Sequence, residues 1–435
     1  MSISSSLNAG VAGLAVNSVR LAAISDNIAN SGTFGYKRVD AEFSDLVLQQ
    51  GSDGAYAAGG VRASTFRDVS AAGSLLTTAN ATDLAVNGRG LLPVTDLAGV
   101  SAPAANRSLL LTATGSFSPD QSGVLRTSSG LVLLGWPADV NGDIGAPVRD
   151  SAASLEPVQI NLNQFAASAT TEVRLGVNLP AAETQAGATG DALTLPIEYF
   201  DTLGRSQTLE IRFTPTVPAA GSSNAWTASV FDRAGDPAVP IASFDLTFDD
   251  SLSGGGALAS VVPGAGASFD LVSGSVTVNA ASNPISLVVG TPGEATPLTQ
   301  LSASFTPVAI SKNGAPLGNL ASVEVDEQGF LQAIYDTGFR RTLYQIPIAD
   351  VPNFNGLDAV GSQAFQISQD SGDFYLWDAG DGPAGSTVGF ALAESTTDIA
   401  SELTDLIQTQ RAYSSNARII QTVDEILQET TNIIR

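Results

Sequence analysis

Asp139-Val140-Asn141-Gly142-Asp143, with Asp150 eleven positions after Asp139, alternates oxygen-bearing side chains in the manner of a calcium loop. A working loop of that kind needs glycine at its sixth position, a bidentate glutamate at its twelfth and a helix on either side. Here those positions hold Ile144 and Asp150, and no flanking helices are predicted, so the string reads as a surface turn. Catalytic chemistry is equally unprovided. The chain has no cysteine and no histidine, which removes disulfides, thiol nucleophiles, thiolate or imidazole zinc sites and the Ser-His-Asp triad. Neither a P-loop ending in GKS or GKT nor a GxSxG elbow occurs. The 43 Asp and Glu residues contain carboxylate pairs by number alone, and spacing singles out none of them for glycoside chemistry. No catalytic, cofactor-binding or metal-ligating residue is assigned, and the sequence reads as that of a non-enzyme.

The charge balance excludes further partners. Asp and Glu outnumber Lys and Arg by 43 to 19, for a net charge of −24, and charged residues make up 14% of the 435 residues, against ~25% in an average soluble domain. Nucleic-acid binding needs clustered bases, and no basic site is denser than the pair Arg340-Arg341. No uninterrupted apolar run reaches the roughly 18 residues of a membrane span, so no membrane insertion is expected. The opening MSISSSLNAGVAGLAV lacks the basic start and leucine-rich core of a cleavable signal. That leaves a cytosolic protein or one exported without cleavage.

The termini carry a helical signal. Leu7, Leu14, Leu21 and Ile28 recur every seven residues, with Val11 and Ile24 between them. At the other end Ile399, Leu406, Tyr413, Ile420, Leu427 and Ile434 recur at the same interval, and Leu403, Ile419, Val423, Ile426 and Ile433 widen the stripe. Thr396 or Thr397 is the expected N-cap, with Asp398 in the first turn. Gly32 is the expected left-handed stop of the first helix, near Asn30. A single heptad row is an ordinary amphipathic helix. Two rows at opposite termini, each without a second apolar partner nearby, point to helices that pair with each other and with other subunits.

Between the helices the chain reads as β. LVLLGW (131–136), LPIEYF (195–200), QTLEIRF (207–213) and SFDLTF (243–248) are short apolar or alternating runs bounded by Gly, Asp, Asn and Pro. A hairpin is predicted around Asp201–Gly204, and a meander over 321–348 with turns at Asp326–Gly329 and Asp336–Gly338. Links rich in Gly, Ala and Ser at 51–60, 181–190, 218–224 and 252–268 read as loops. Length suggests about three domains.

Four stretches, in order, resemble the bacterial flagellar rod and hook axial protein family. SDNIANSGTFGYKR (25–38) is similar to its N-terminal signature through Asn27, Asn30, Thr33, Gly35, Tyr36 and Lys37. ATDLAVNGRGLLPV (81–94) and LTATGSFSPDQSGVLRTSSGLVLLGW (111–136) resemble two internal stretches. LTDLIQTQRAYSSNARIIQTVDEILQ (403–428) is similar to its C-terminal segment through Gln410, Arg411, Ala412, Tyr413 and Asn416. Leu7 stands where the family often has phenylalanine, and LAESTTDIA (392–400) keeps Asp398 but lacks the family's asparagine.

The resemblance implies a mixed, mainly β chain with nested, discontinuous domains. Residues 1–32 and 396–435 would form a helical, coiled-coil inner core and 33–71 a connecting segment. Residues 72–149 and 309–395 would form an inner β domain, and 150–308 an outer one. That insertion points to the hook-type branch, whose subunits self-assemble into a curved helical tube that transmits torque from rod to filament as a universal joint. Implied partners are copies of the chain itself, the distal rod protein, the hook cap, the hook–filament junction protein and the flagellar export apparatus. The implied location is the extracellular hook on the basal body, reached without a cleaved signal peptide. The terminal seams are expected to be disordered in the monomer and to fold on assembly. Two alternatives stand beside this reading: a distal rod or other axial protein, and a secreted β-rich adhesin, which would leave the heptads unexplained.

Overall fold

The fold was obtained as a computed structural model, which describes residues 3–46, 59–139, 142–161, 165–280, 283–294 and 297–433. Ile434, Val140, Asn141 and most of the 51–60 link lie outside the described residues. The chain divides into two units, one built from 1–162, 322–334 and 340–435, the other from 163–321 and 335–339.

In the first unit, helices α1 (Ile3–Ala29) and α2 (Ile399–Ile433) run antiparallel: Gly10 faces Ile420, Gly13 faces Asn416 and Arg20 meets Asp405. The start of α2 is capped by Asp398, whose Oδ1 accepts from the amides of Ala400 at 2.8 Å and Ser401 at 3.1 Å. A carboxylate at this position satisfies two orphan donors and favours the positive helix end, so Asp398 takes the capping role expected of Thr396 or Thr397. Thr396 instead accepts the Arg38 amide at 2.8 Å. The end of α1 also differs from expectation. The chain leaves through tightening turns, Ser31 N to Ile28 O at 3.3 Å and Thr33 N to Asn30 O at 3.0 Å. Gly32 therefore needs no positive φ, and the left-handed glycine is Gly35, at φ 74°. By length and composition alone Ser6–Ala29, of mean hydropathy 1.4, would suffice to cross a membrane. Average hydropathy, rather than an unbroken apolar run, is what qualifies it.

Residues 33–71, expected only to connect, contain an antiparallel ribbon of β1 (Val39–Asp45) and β2 (Val61–Arg67) in register from Val39↔Arg67 to Asp45↔Val61. The ribbon lies against α1, with the Arg20 guanidinium 5.8 Å from the Phe43 ring centre. The rest of this unit is mainly β, with a short helix at Leu97–Ser101. An antiparallel sheet runs in the spatial order Phe330–Tyr335, Arg340–Gln345, Val132–Pro137, Leu92–Thr95, Leu110–Thr112, Ala364–Gln366, Asp358–Gly361. Its core gathers Leu91, Leu111, Leu134, Trp136, Phe365 and Leu376. Leu155, Val158 and Ile160 are buried within 150–162, which groups with this unit and not with the insertion. In the Asp139 string, Asp139 Oδ1 accepts the Asp143 amide at 2.9 Å, and the Asp139 amide donates to the Asp143 carbonyl at 2.9 Å.

The second unit is a β-sandwich. A meander of Leu193–Phe200, Ser206–Pro215, Ala225–Asp232, Ala242–Phe248 and Leu258–Pro263 forms one sheet. The other centres on Glu172–Pro180, which pairs in parallel with Pro284–Val288 and Leu298–Leu301 and antiparallel with Thr306–Lys312. Alternate residues of both sheets, among them Ile211, Trp226, Phe244, Leu175, Val177 and Ile285, share one core, as strand periodicity requires. Asp201 Oδ1 accepts the amides of Leu203 and Arg205 at 2.9 and 2.8 Å, and Gly204 turns at φ 75°. The hairpin stands where the sequence placed it.

Candidate assembly interface

Small residues build the seam between α1 and α2. A β-carbon on Gly10 would come within 3.2 Å of Ile420, and one on Gly13 within 2.7 Å of the Asn416 amide. The backbones therefore approach closely, and α1 buries Gly10, Gly13, Val16, Asn17, Ala23, Ile24 and Asn27 along one face. Of the α1 residues expected in the seam, only Ile24 is buried; Leu7, Leu14, Leu21 and Ile28 lie half-buried on its flank and Val11 is exposed. On α2, Val423 is buried and Leu406 and Ile420 are half-buried. Ile399, Leu403, Ile407, Tyr413, Ile419, Ile426 and Leu427 are each 40–52% exposed. Apolar side chains scattered singly over a surface are ordinary. A succession of them along one helix is not.

The α1 exit assembles a polar node around two fully buried side chains, Asn27 and Glu402. Asn27 Nδ2 donates to the Val39 carbonyl at 2.8 Å and to Glu402 Oε1 at 3.1 Å, while its Oδ1 accepts the Val39 amide at 2.8 Å. Glu402 Oε1 also accepts from Arg38 Nε at 2.5 Å, and Arg38 reaches Asp40 at 2.9 Å and Asp405 at 3.7 Å. The Tyr36 hydroxyl donates to Asp26 at 2.9 Å and to Asn27 Oδ1 at 3.1 Å. Burial, with the Asp26 contact added, pushes that phenol up to about 12. Asn30 Nδ2 back-bonds to the Asp26 carbonyl at 2.9 Å, Thr33 Oγ1 donates to Asn30 Oδ1 at 3.2 Å, and the Gly35 amide donates to Ala393 O at 2.8 Å. The motif residues Asn27 to Lys37 thus join α1, β1 and the start of α2. Gln410, Arg411, Ala412 and Tyr413 lie together on exposed parts of α2, and Asn416 faces Gly13. Spacing did not single out Arg38 or Glu402; a glutamate one turn into an amphipathic helix reads as solvated until the fold buries it.

Lys37 is buried, its Nζ donating to the Ala71 carbonyl. Desolvation, partly offset by Asp68, draws its amine down to about 8 from 10.5. Between those values the unfolded chain binds more protons than the folded one, so this residue's contribution to stability rises with pH. Lys37→Met is expected to be more stable than the parent at pH 7 by on the order of 2 kcal/mol. The difference should shrink through the window from about pH 8 to pH 10.5. Paired denaturant titrations across that window check it, and a pH-independent difference would contradict it.

Among the described residues no group of three or more acidic side chains is placed to hold a metal. The GxGxxG spacing of Gly380, Gly382 and Gly385 leads into the strand Ser386–Gly389, so no helix N-terminus stands behind it to receive a phosphate. A cavity of about 310 Å³ beside Lys37 is lined by Val69, Arg89 and Phe354. Its cations are engaged, Lys37 by Ala71 O and Arg89 by Asp350 and the Val351 carbonyl.

Known proteins align with this sequence along its whole length. Residues 7–37 match the family described as flagella basal body rod protein, 177–315 the flagellar basal body protein FlaE D2 domain, and 390–433 the flagellar basal body rod FlgEFG protein C-terminal region. The flagellar hook protein FlgE of Brucella suis is 32% identical over 438 residues, covering all of both chains. That of Rhizobium meliloti is 30% identical over 444 residues, again covering both completely. A crystal structure of the Helicobacter pylori flagellar hook protein FlgE2 covers 72% of this chain and 98% of its own at 13% identity, with a TM-score of 0.48. The fold class therefore rests on the strands and helices described above, and kinship rests on sequence identity along the whole length. By that identity the chain belongs to the flagellar hook protein family.

Proposed function

We propose that this chain polymerises through its terminal helices into the curved tube of a flagellar hook and transmits torque there as a universal joint. The observation that supports this is the set of apolar side chains on α2, from Ile399 to Leu427, left 40–52% exposed by the chain's own fold. Like subunits meeting head to tail by a heterologous contact build an open helical tube, and such a contact would cover that face. In this reading α1 and α2 line the tube and the first unit's β sheets surround them. The chain acts as a structural subunit, without an active site, and leaves the cell without a cleaved signal.

An epitope placed between Gly221 and Ser222 tests the assignment, because both are exposed and a β-carbon on Gly221 would meet nothing within 4 Å. Immunolabelled flagella should carry label on the curved segment between rod and filament. Label confined to the rod, or spread over the cell surface, favours the axial or adhesin alternative instead.

The sandwich is also removable in principle, because Phe165 pairs with Asn319 and the chain enters and leaves beside itself. Excision of 165–319 is expected to leave polymerisation intact while changing the tube's curvature or stiffness. Loss of all polymer from a folded deletion variant would overturn this division of labour.

A further inference from the structure

Between Ile3 and Val19, α1 carries neither acid nor base. The stretch of α2 packed along it is nonetheless charged, with Arg411 and Arg418 followed by Asp424, Glu425 and Glu429, all exposed. Among the described residues the ion pairs include none of these five side chains. The acids stand towards the negative end of the α2 dipole, where no basic residue occupies the last turn. Carboxylates there are disfavoured unless a cation arrives from outside the helix. The two arginines and Glu425 lie on one heptad row.

We infer that a second copy supplies the missing partners: Arg411 and Arg418 of one subunit pair with Glu425 and Glu429 of its neighbour and fix the axial register of the polymer. The inference rests on the self-assembly proposed above and deepens it. Apolar contact alone sets register weakly, because a heptad seam repeats every turn pair, whereas charge discriminates between registers. A slip of 7 residues would set Arg418 against the neighbour's Glu425 but Arg411 against its Arg418, so a like-charge contact offsets the pair. A slip of 14 residues sets Arg411 against Glu425 and places Arg418 one turn from Glu429. At ~1.5 Å per residue that stagger is about 21 Å along parallel helices.

Three full-length variants test this by polymerisation at low and high salt, followed by sedimentation and electron microscopy. One carries Arg411→Glu with Arg418→Glu, and the second carries Asp424→Arg, Glu425→Arg and Glu429→Arg. The third carries all five changes. Each of the first two alone should raise the critical concentration at least tenfold. Mixing them in equal amounts should restore polymer, and so should the fully exchanged third variant. Thermal melts of the monomers verify folding, and Arg411→Gln with Arg418→Gln gives a milder version that should lose the parent's salt dependence. Parental polymerisation of the reversed variants, or no restoration by mixing or exchange, overturns the charge register while leaving self-assembly intact. A parent chain that forms no polymer at all overturns the proposed function itself.

Discussion

Arg38→Ala is expected to destabilise the attachment of α2 to α1 and β1 by about 3–5 kcal/mol, the usual cost of leaving one member of a buried ion pair alone. Glu402 is fully buried, and its Oε1 is held by Arg38 at 2.5 Å and Asn27 at 3.1 Å. Its Oε2 has no hydrogen-bond partner among the described residues. Removing the guanidinium leaves the carboxylate to a single amide. The same side chain also ties in Asp40 and Asp405, of which Asp405 keeps Arg20 as a partner. Replacing both partners, as in Arg38→Ala with Glu402→Met, should recover most of the loss, because no buried charge is then stranded. Denaturant unfolding of the parent, the two single variants and the double variant gives the coupling energy. An Arg38→Ala cost below about 0.5 kcal/mol, within the ordinary range of surface substitutions, would mean that the node is incidental.

Gly13→Leu is expected to have the larger effect on assembly. Even a β-carbon at this position would lie 2.7 Å from the Asn416 amide, and leucine adds three further carbons inside the seam. Overpacking of this kind typically costs about 1–3 kcal/mol, which corresponds to a roughly 5- to 150-fold change in an equilibrium constant. In a polymer every subunit repeats the penalty. The critical concentration should rise by at least tenfold, while the sandwich, which contains no part of the seam, melts as in the parent. Asn416→Ala should partly rescue it by clearing the space. Polymerisation of Gly13→Leu at the parental concentration would show that the helices need not approach closely.

Much of the architecture is legible in the sequence. Heptads marked both helices, alternation marked the sandwich strands, and turn glycines such as Gly204 and Gly329 adopt positive φ where the turns were placed. What spacing misjudged was the side of each helix that packs within the chain. Counting large apolar residues finds rows such as Leu7 to Ile28 and Ile399 to Leu427, whereas the intrachain seam sets Gly10, Gly13, Ala23 and Asn27 beside Val16, Ile24, Ile420 and Val423. Glycine and alanine add little to a hydrophobic count, yet they allow the closest backbone approach. Of the large residues, Leu7, Leu14, Leu21 and Ile28 are half-buried, and Ile399, Leu403, Tyr413 and Leu427 are exposed. Val39 to Ser44 of β1 does alternate apolar and polar residues, but the run is short, and in the ribbon Phe43 and Phe66 remain 38% exposed. Asn27, by contrast, was marked by its motif, and its burial explains why that motif ends a helix with an amide: the side chain satisfies both the amide and the carbonyl of Val39 at 2.8 Å.

The central claim is that neighbouring copies cover the exposed apolar face of α2. Hydrogen exchange over 399–433, measured on the purified monomer and on the polymer, tests it most directly. The account predicts rapid exchange across most of α2 in the monomer and strong protection in the polymer, with the sandwich core around Trp226 equally protected in both. Strong protection of α2 already in a true monomer, or no gain on polymerisation, would contradict it.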